Sequence, residues 1–302
     1  MQNRLNPSEG FKKILYPLVT SLFFAGSFVA AKYAVLELEP FTTTLLRYIV
    51  ALIFLTTLIS KQKFASLSIA KADLIPLILL GLFGIVGYHY FFFVSLRFTE
   101  VTNTAIINAL NPIATGVAAK LLINEQLSRR NYLGVTIVFA GVIFLIAKGN
   151  VSNILRLQFN QGDLLMLLAV SSWVAYSLLI KNLLKKHTSF TLTYYATLFG
   201  VILLLPLTLS EGFVQQIQAI SPSVILAILY MGIFASGIGY LFYNLSIKEI
   251  GATKTASFVY SLVPVFVAVL ALLFFNESIT GMMVLSAGLI VFGLHFMLHK
   301  RK

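Results

Sequence analysis

Ten long apolar runs separated by short polar connections decide what this chain can fold into. They fall at roughly 14–34, 41–60, 74–96, 101–123, 131–148, 163–183, 190–210, 223–247, 252–275 and 282–298. Runs of this length cross about 30 Å of hydrocarbon as helices. Lipid offers the backbone no hydrogen-bond partners, so a spanning segment must satisfy its own N–H and C=O groups. No connection is long enough to hold a separate soluble domain. Composition agrees: the 302 residues are 59% hydrophobic and 11% charged, with a mean hydropathy of +0.92. A soluble domain of this size needs far more polar surface. The expected fold class is an all-α integral membrane protein with ten transmembrane helices. The first run follows Lys12-Lys13 as a signal peptide would, but it is longer than an h-region and nine more runs come after it, so it reads as a retained helix.

A net charge of +12 and a pI near 9.8 raise the question of nucleic acid. That function needs basic residues gathered on one water-exposed surface, and here they are scattered through short loops, so no nucleic-acid partner is expected. Their distribution sets orientation instead. Arg4, Lys12, Lys13, Lys61, Lys63, Lys71, Lys120, Arg129, Arg130, Lys181, Lys185, Lys186, Lys248, Lys254 and Lys300-Arg301-Lys302 fall on one side. Only Lys32, Arg97, Lys148 and Arg156 fall on the other. The asymmetry puts both termini in the cytoplasm, which an even number of spans requires. The chain has no cysteine, which excludes disulfides, thiolate metal sites and cysteine nucleophiles.

The stretch "NALNPIATGVAAKLLINE" at 108–125 has a counterpart in "YSLVPVFVAVLALLFFNE" at 260–277. Setting 81–110 against 232–261, and 111–146 against 263–298, gives 16 identities in 66 positions. Gly81/Gly232, Ser95/Ser246, Thr102/Thr253, Pro112/Pro264, Glu125/Glu277 and Gly141/Gly293 are among them. The chain therefore divides into two repeats, 1–150 and 151–302. Five spans per repeat is an odd number, so the second enters the membrane in the opposite sense. Inverted repeats of this kind build many secondary transporters, with the substrate near the midplane at the repeat interface.

Four features carry a family resemblance: "FAGSFVAAKYA" opening the first repeat, "SSWVAYSLLIK" opening the second, "LLRYIVALIFL" in the second span, and the paired Pro…Asn-Glu segments. Together they resemble the EamA-type members of the drug/metabolite transporter superfamily over essentially the whole chain. The resemblance implies a ten-helix inner-membrane transporter, in bacteria often an exporter of amino acids or other small metabolites. One departure is Phe24, where the family often carries Trp; the second repeat keeps Trp173.

Polar groups inside spans are costly unless they face a cavity or each other. Thr104, Asn108, Asn111 and Thr115 are spaced 4, 3 and 4 apart, on one face of the fourth span. Amides there suit a zwitterionic or polyhydroxyl solute, or serve as helix–helix glue. The second repeat has Val259 in place of Asn108, and Leu262 and Val263 around the place of Asn111, so the architecture does not demand the asparagines. Trp173 and Tyr176 in the sixth span, and Tyr240 and Asn244 in the eighth, are further candidate binding residues. Arg47 either meets a carboxylate or phosphate or, the expectation preferred, snorkels to the outer interface. His89, in "GYHYFFF", is the candidate for a coupling proton or a neutral ring bonded to a carbonyl. Pro112 and Pro264 each remove a helical hydrogen bond and are candidate hinges.

No HExxH or intramembrane Asp pair supports an enzyme, no GxxxxGK[ST] loop supports a nucleotide-driven pump, and no filter signature supports a channel. No metal or cofactor is expected. The sequence thus describes a non-enzymatic secondary transporter of a zwitterionic or neutral metabolite; the alternatives are an importer or a nucleoside or drug efflux protein on the same scaffold, or a channel-like or structural membrane subunit. It is a monomer or weak homodimer whose partners are a small solute and the bilayer.

Overall fold

A computed structural model describes residues 7–61, 67–95, 97–98, 107–108, 110–125, 128–146, 160–218, 220–275 and 281–298. Ten long helical rods, with a short helix, Phe213–Gln218, between the seventh and eighth, carry most of these residues. In chain order they are α1 (Pro7–Ala34), α2 (Pro40–Lys61), α3 (Lys71–Ser95), α4 (Asn111–Ile123), α5 (Arg129–Ile146), α6 (Gln161–Leu183), α7 (Ser189–Leu209), α8 (Pro222–Ile250), α9 (Ala252–Phe275) and α10 (Gly281–Leu298). Six of them, α1, α2, α3, α6, α7 and α8, are long and apolar enough to span a bilayer; α4, α9 and α10 contain shorter apolar stretches. Their outer surfaces are apolar: Leu121 and Leu122 are each 73% exposed, and Ile53, Leu164, Leu226 and Val284 also point outward. A water-facing surface would place polar side chains there. Lipid is the solvent these faces fit.

Local sequence explains where the rods begin. Asn160 and Asp163 form a reciprocal capping box at the start of α6. Thr188 caps α7 by accepting from the Thr191 N–H at 3.1 Å. α4 ends at Asn124, whose φ of 51° is the left-handed conformation that stops a helix. Inside the rods, hydroxyls that would otherwise be stranded donate to the carbonyl one turn back, as Thr20 does to Tyr16 (2.9 Å), Ser177 to Trp173 (2.9 Å) and Thr193 to Ser189 (2.8 Å).

The two halves are interlocked. α1 packs on α9 and α6 on α4; α2 packs on α8 and α7 on α3; α5 packs on α10. Each of these contacts has its reciprocal in the other repeat, as an inverted duplication about a pseudo-two-fold axis requires. The matched glycines lie at the closest approaches. A Cβ on Gly81 would sit 2.6 Å from the Gly200 nitrogen of α7, and one on Gly232 would sit 2.7 Å from the Arg47 carbonyl of α2. Where α5 crosses α10, Gly141 faces Ile290 and Gly293 faces Val138. The repeat thus preserved these glycines because backbones meet there.

Two features depart from the sequence reading. α3 and α8 are not uniform α-helices: Leu82–Gly87 and Met231–Gly239 are π-helical, at matching places in the two repeats. A π segment widens the turn and marks functional sites more often than chance. The matched prolines also differ in setting. Pro264 lies inside α9, but Pro112 lies in the first turn of α4 after a break at Leu110. A first-turn proline removes no helical hydrogen bond, so the hinge expected of the pair has its physical basis only at Pro264. Thr104, Asn276 and Glu277 lie outside the described residues.

Carboxylates tie the repeats together on both faces. Glu211, from the second half, accepts from the Phe41 and Thr42 N–H groups at 3.0 and 2.8 Å and from the Thr42 hydroxyl at 3.0 Å, which caps α2. On the same face Arg97 pairs with Glu39, and Glu37 accepts from the Ser221 N–H at 2.9 Å. Those bonds from Ser221 hold the Glu37 carboxyl below its ordinary range. On the other face Glu125, from the first half, accepts from the Ala252 and Thr253 N–H groups at 3.3 and 3.4 Å, at the start of α9. Asp73 there meets Lys186 at 3.2 Å and His187 at 3.0 Å. Helix N-termini favour such negative charge.

Candidate functional site

A cavity of about 50 Å3 lies where α1, α2 and α3 of the first repeat meet α6, α8 and α9 of the second. Its wall carries Phe24, Ser27, Phe28 and Ala31 from α1, Arg47 from α2, and Tyr88, His89, Phe92 and Phe93 from α3. The second repeat adds Trp173, Tyr240, Tyr260 and Val263. About 10–15 Å3 of such space takes one water, so in this state the cavity has room for a few waters and for no larger solute.

Trp173, only 1% exposed, is the hub. Its ring lies within 6.2 Å of the rings of Phe24, Tyr88, Tyr176, Tyr240, Tyr243 and Tyr260. The indole N–H donates to the Tyr243 hydroxyl at 2.9 Å, which in turn bonds Ser177 at 2.9 Å. Tyr240 crosses Trp173 edge-on at 90° and donates to the Gly84 carbonyl at 2.9 Å. That carbonyl belongs to the π segment of α3, and the Gly239 carbonyl in the π segment of α8 accepts from Thr20 at 3.3 Å. The π segments thus release carbonyls that the opposite element takes up.

Arg47 does not snorkel. It is 5% exposed, and its Nε donates to the Ser236 hydroxyl at 2.9 Å. One terminal nitrogen lies 3.9 Å from the Met231 sulfur, and the guanidinium carbon is 5.4 Å from the centre of the Tyr48 ring. The polar Ser236 and the cavity, both inside the bundle, hold the guanidinium where the sequence alone suggested an outward reach. His89 sits beside it on the wall. Its Nδ1 is 3.0 Å from the Ile85 carbonyl; a carbonyl can only accept, so Nδ1 carries a proton, and among the described residues no hydrogen bond to Nε2 is seen.

Of the residues singled out in the sequence, Arg47, His89, Trp173 and Tyr240 come together on this wall. The other described ones are not on it. Asn108 reaches the Tyr88 hydroxyl and accepts from Asn111 Nδ2 at 2.8 Å, so the pair braces a wall residue. Among the described residues the buried Asn111 carbonyl oxygen and Thr115 hydroxyl have no hydrogen-bond partner. Tyr176 and Asn244 bond to each other, and Asn244 also donates to Thr193. Sequence reasoning missed Tyr88, Phe92, Phe93 and Tyr260. The first three follow His89 or precede it in an aromatic run, where composition names no inward face. Tyr260 lies four residues before Pro264, in the same repeated segment.

Ten helices in two interlocked inverted repeats, closed around a cavity with one cation and many rings, define a membrane transporter. The EamA-like transporter family model matches the chain twice, over residues 11–147 and 160–299. The chain belongs to that family. It is 32% identical to the Uncharacterized transporter YyaM of Bacillus subtilis over 81% of this chain and 80% of the relative. It is 31% identical to an uncharacterized transporter of Archaeoglobus fulgidus over 86% of this chain and 88% of that one. A solved structure described as "Crystal structure of protein" superposes with a TM-score of 0.76 at 18% identity, covering 95% of this chain and 96% of its own; that likeness is of fold.

Proposed function

We propose that the chain is a secondary active transporter that moves a small metabolite by alternating access, with the cavity between the repeats as the solute site. The observation that carries this reading is the make-up of the wall, to which both repeats contribute: Arg47 and His89 from one, Trp173 and Tyr240 from the other. A site at the interface of two inverted repeats changes access when one repeat rocks against the other. Breaking the Glu211 tie would open one face and breaking the Glu125 tie the other. Both termini are proposed to be cytoplasmic, on the loop charges. Export across the inner membrane is the direction the family resemblance implies.

The test is access. The chain has no cysteine, so a single Val214→Cys, on an exposed residue of the Glu211 face, reports that face alone. Labelling of intact cells by an impermeant maleimide is expected, and so is solute counterflow in liposomes that Trp173→Ala abolishes and Leu164→Ala leaves intact. Labelling only after lysis would reverse the orientation. Counterflow unaffected by Trp173→Ala would remove the solute from this cavity.

A further inference from the structure

The chemistry of the wall narrows the solute further than the repeat does. Arg47 is the cation of the cavity, and it is fixed there by Ser236 with most of its five N–H donors uncommitted to oxygen. Among the described residues no carboxylate reaches it. The ion pairs lie at the two faces, Arg97 with Glu39 on one and Asp73 with Lys186 and His187 on the other. An intramembrane cation without a counterion is costly and marks a functional site. The missing counterion belongs to a ligand.

We infer that the cavity takes an organic monoanion: a carboxylate on a flat apolar body, with no ammonium group on the same molecule. This rests on the reading of the cavity as the solute site. A planar guanidinium matches a carboxylate through two parallel N–H···O bonds, and one bound carboxylate neutralises the site. A phosphate dianion would leave a surplus negative charge unless the His89 ring took up a proton, since Arg47 is the one guanidinium or ammonium group on the wall. An amino acid would leave a surplus positive one. Its carboxylate would meet Arg47, but its ammonium would find no acid on the wall, only aromatic rings and the hydroxyls of Ser27 and the tyrosines, which attract a cation far less than a carboxylate does. The zwitterion expected from the sequence therefore gains less here than the bare acid. Phe24, Phe28, Phe92, Phe93, Trp173 and Tyr260 supply the surface against which an apolar body packs. A phenyl ring requires those walls to part, because an apolar cavity that takes benzene has about 150 Å3, against about 50 Å3 in this state.

The chain carries its own reporter. Trp173 is its single tryptophan and stands on the wall, so its emission responds to occupancy. Purified protein is titrated with 3-phenylpropionate, phenylalanine and phenethylamine, which share one body and differ in charge. Saturable change is expected with 3-phenylpropionate, weaker by about tenfold or more in Kd with phenylalanine, and absent with phenethylamine. Arg47→Gln should weaken the acid by about tenfold or more and bring it level with phenylalanine. If that variant does not fold, the wild-type order of the three ligands decides. Phenylalanine binding as tightly as the acid, or no response to the acid up to its solubility, would overturn the inference. Counterflow of the same compounds in liposomes separates the two readings. Transport that prefers phenylalanine overturns the anion and leaves the transporter. Binding of the acid with no transport of any of the three overturns the transporter and leaves the anion site.

Discussion

Asn244→Leu separates glue from binding site at a residue the sequence offered as a liner. Asn244 on α8 is fully buried. Its Nδ2 donates to the Tyr176 hydroxyl of α6 at 3.0 Å and to Thr193 Oγ1 of α7 at 2.9 Å, and its Oδ1 lies 3.1 Å from the same Tyr176 hydroxyl. Leucine keeps the volume and removes every one of these links. Thr193 still donates to the Ser189 carbonyl at 2.8 Å, so it is not stranded. Tyr176 loses its partner inside an apolar bundle. Two cross-helix links at ~0.6 kcal/mol each on average, with ~1–3 kcal/mol for the stranded hydroxyl, give a loss of ~2–4 kcal/mol. The assay is thermal unfolding in detergent, paired with ligand titration by Trp173 emission on the same preparation. Asn244→Leu should melt earlier with ligand affinity unchanged. Adding Tyr176→Phe should restore part of the loss, because the stranded hydroxyl is gone. A variant of wild-type stability whose affinity falls about tenfold would refute the reasoning and return Asn244 to the site.

Glu211→Ala removes three hydrogen bonds from the start of α2 and should cost about 1–2 kcal/mol, the scale of a lost helix cap; an unchanged melting temperature would show that this face needs no such tie. Pro264→Ala should slow transport at unchanged solute affinity, and Pro112→Ala should do neither, because only Pro264 interrupts a helix interior; equal slowing by both would restore the paired hinge. His89→Gln keeps a hydrogen-bond donor toward Ile85 and removes a titratable ring. If His89 carries the coupling proton, uptake driven by a pH gradient should vanish while exchange at equal pH continues; loss of both together would leave the ring a wall element only.

The fold was legible because lipid simplifies the code. Backbone self-satisfaction leaves helices as the only choice for apolar runs of this length, and the Pro…Asn-Glu segment marked the duplication. The π segments were not legible. Nothing in "LFGIVG" or "MGIFASGIG" distinguishes a widened turn from an ordinary one, because the cause is tertiary: the Gly84 carbonyl finds Tyr240 and the Gly239 carbonyl finds Thr20. The site was legible in part for the same reason. Spacing puts Asn108 and Asn111 on one helix face, but it cannot say whether that face looks into a cavity or at a neighbouring helix.

The same limit explains Arg47. Read along its own helix, it stands about two turns from an end, where snorkelling is the ordinary solution for a long cationic side chain. What holds it inward is Ser236, 189 positions away in the other repeat. The duplication then makes the asymmetry informative. His89 and Tyr240 occupy matching positions in α3 and α8, and both stand on one wall. An inverted repeat left to itself would build these positions alike. This pair has instead diverged, one member toward a titratable ring and the other toward a hydroxyl, while the glycines that set backbone approach stayed alike. Scaffold positions kept their symmetry because both halves must pack in the same way. If the cavity is the solute site, wall positions are free to lose it, because a single bound solute has two unlike ends that unlike side chains hold best.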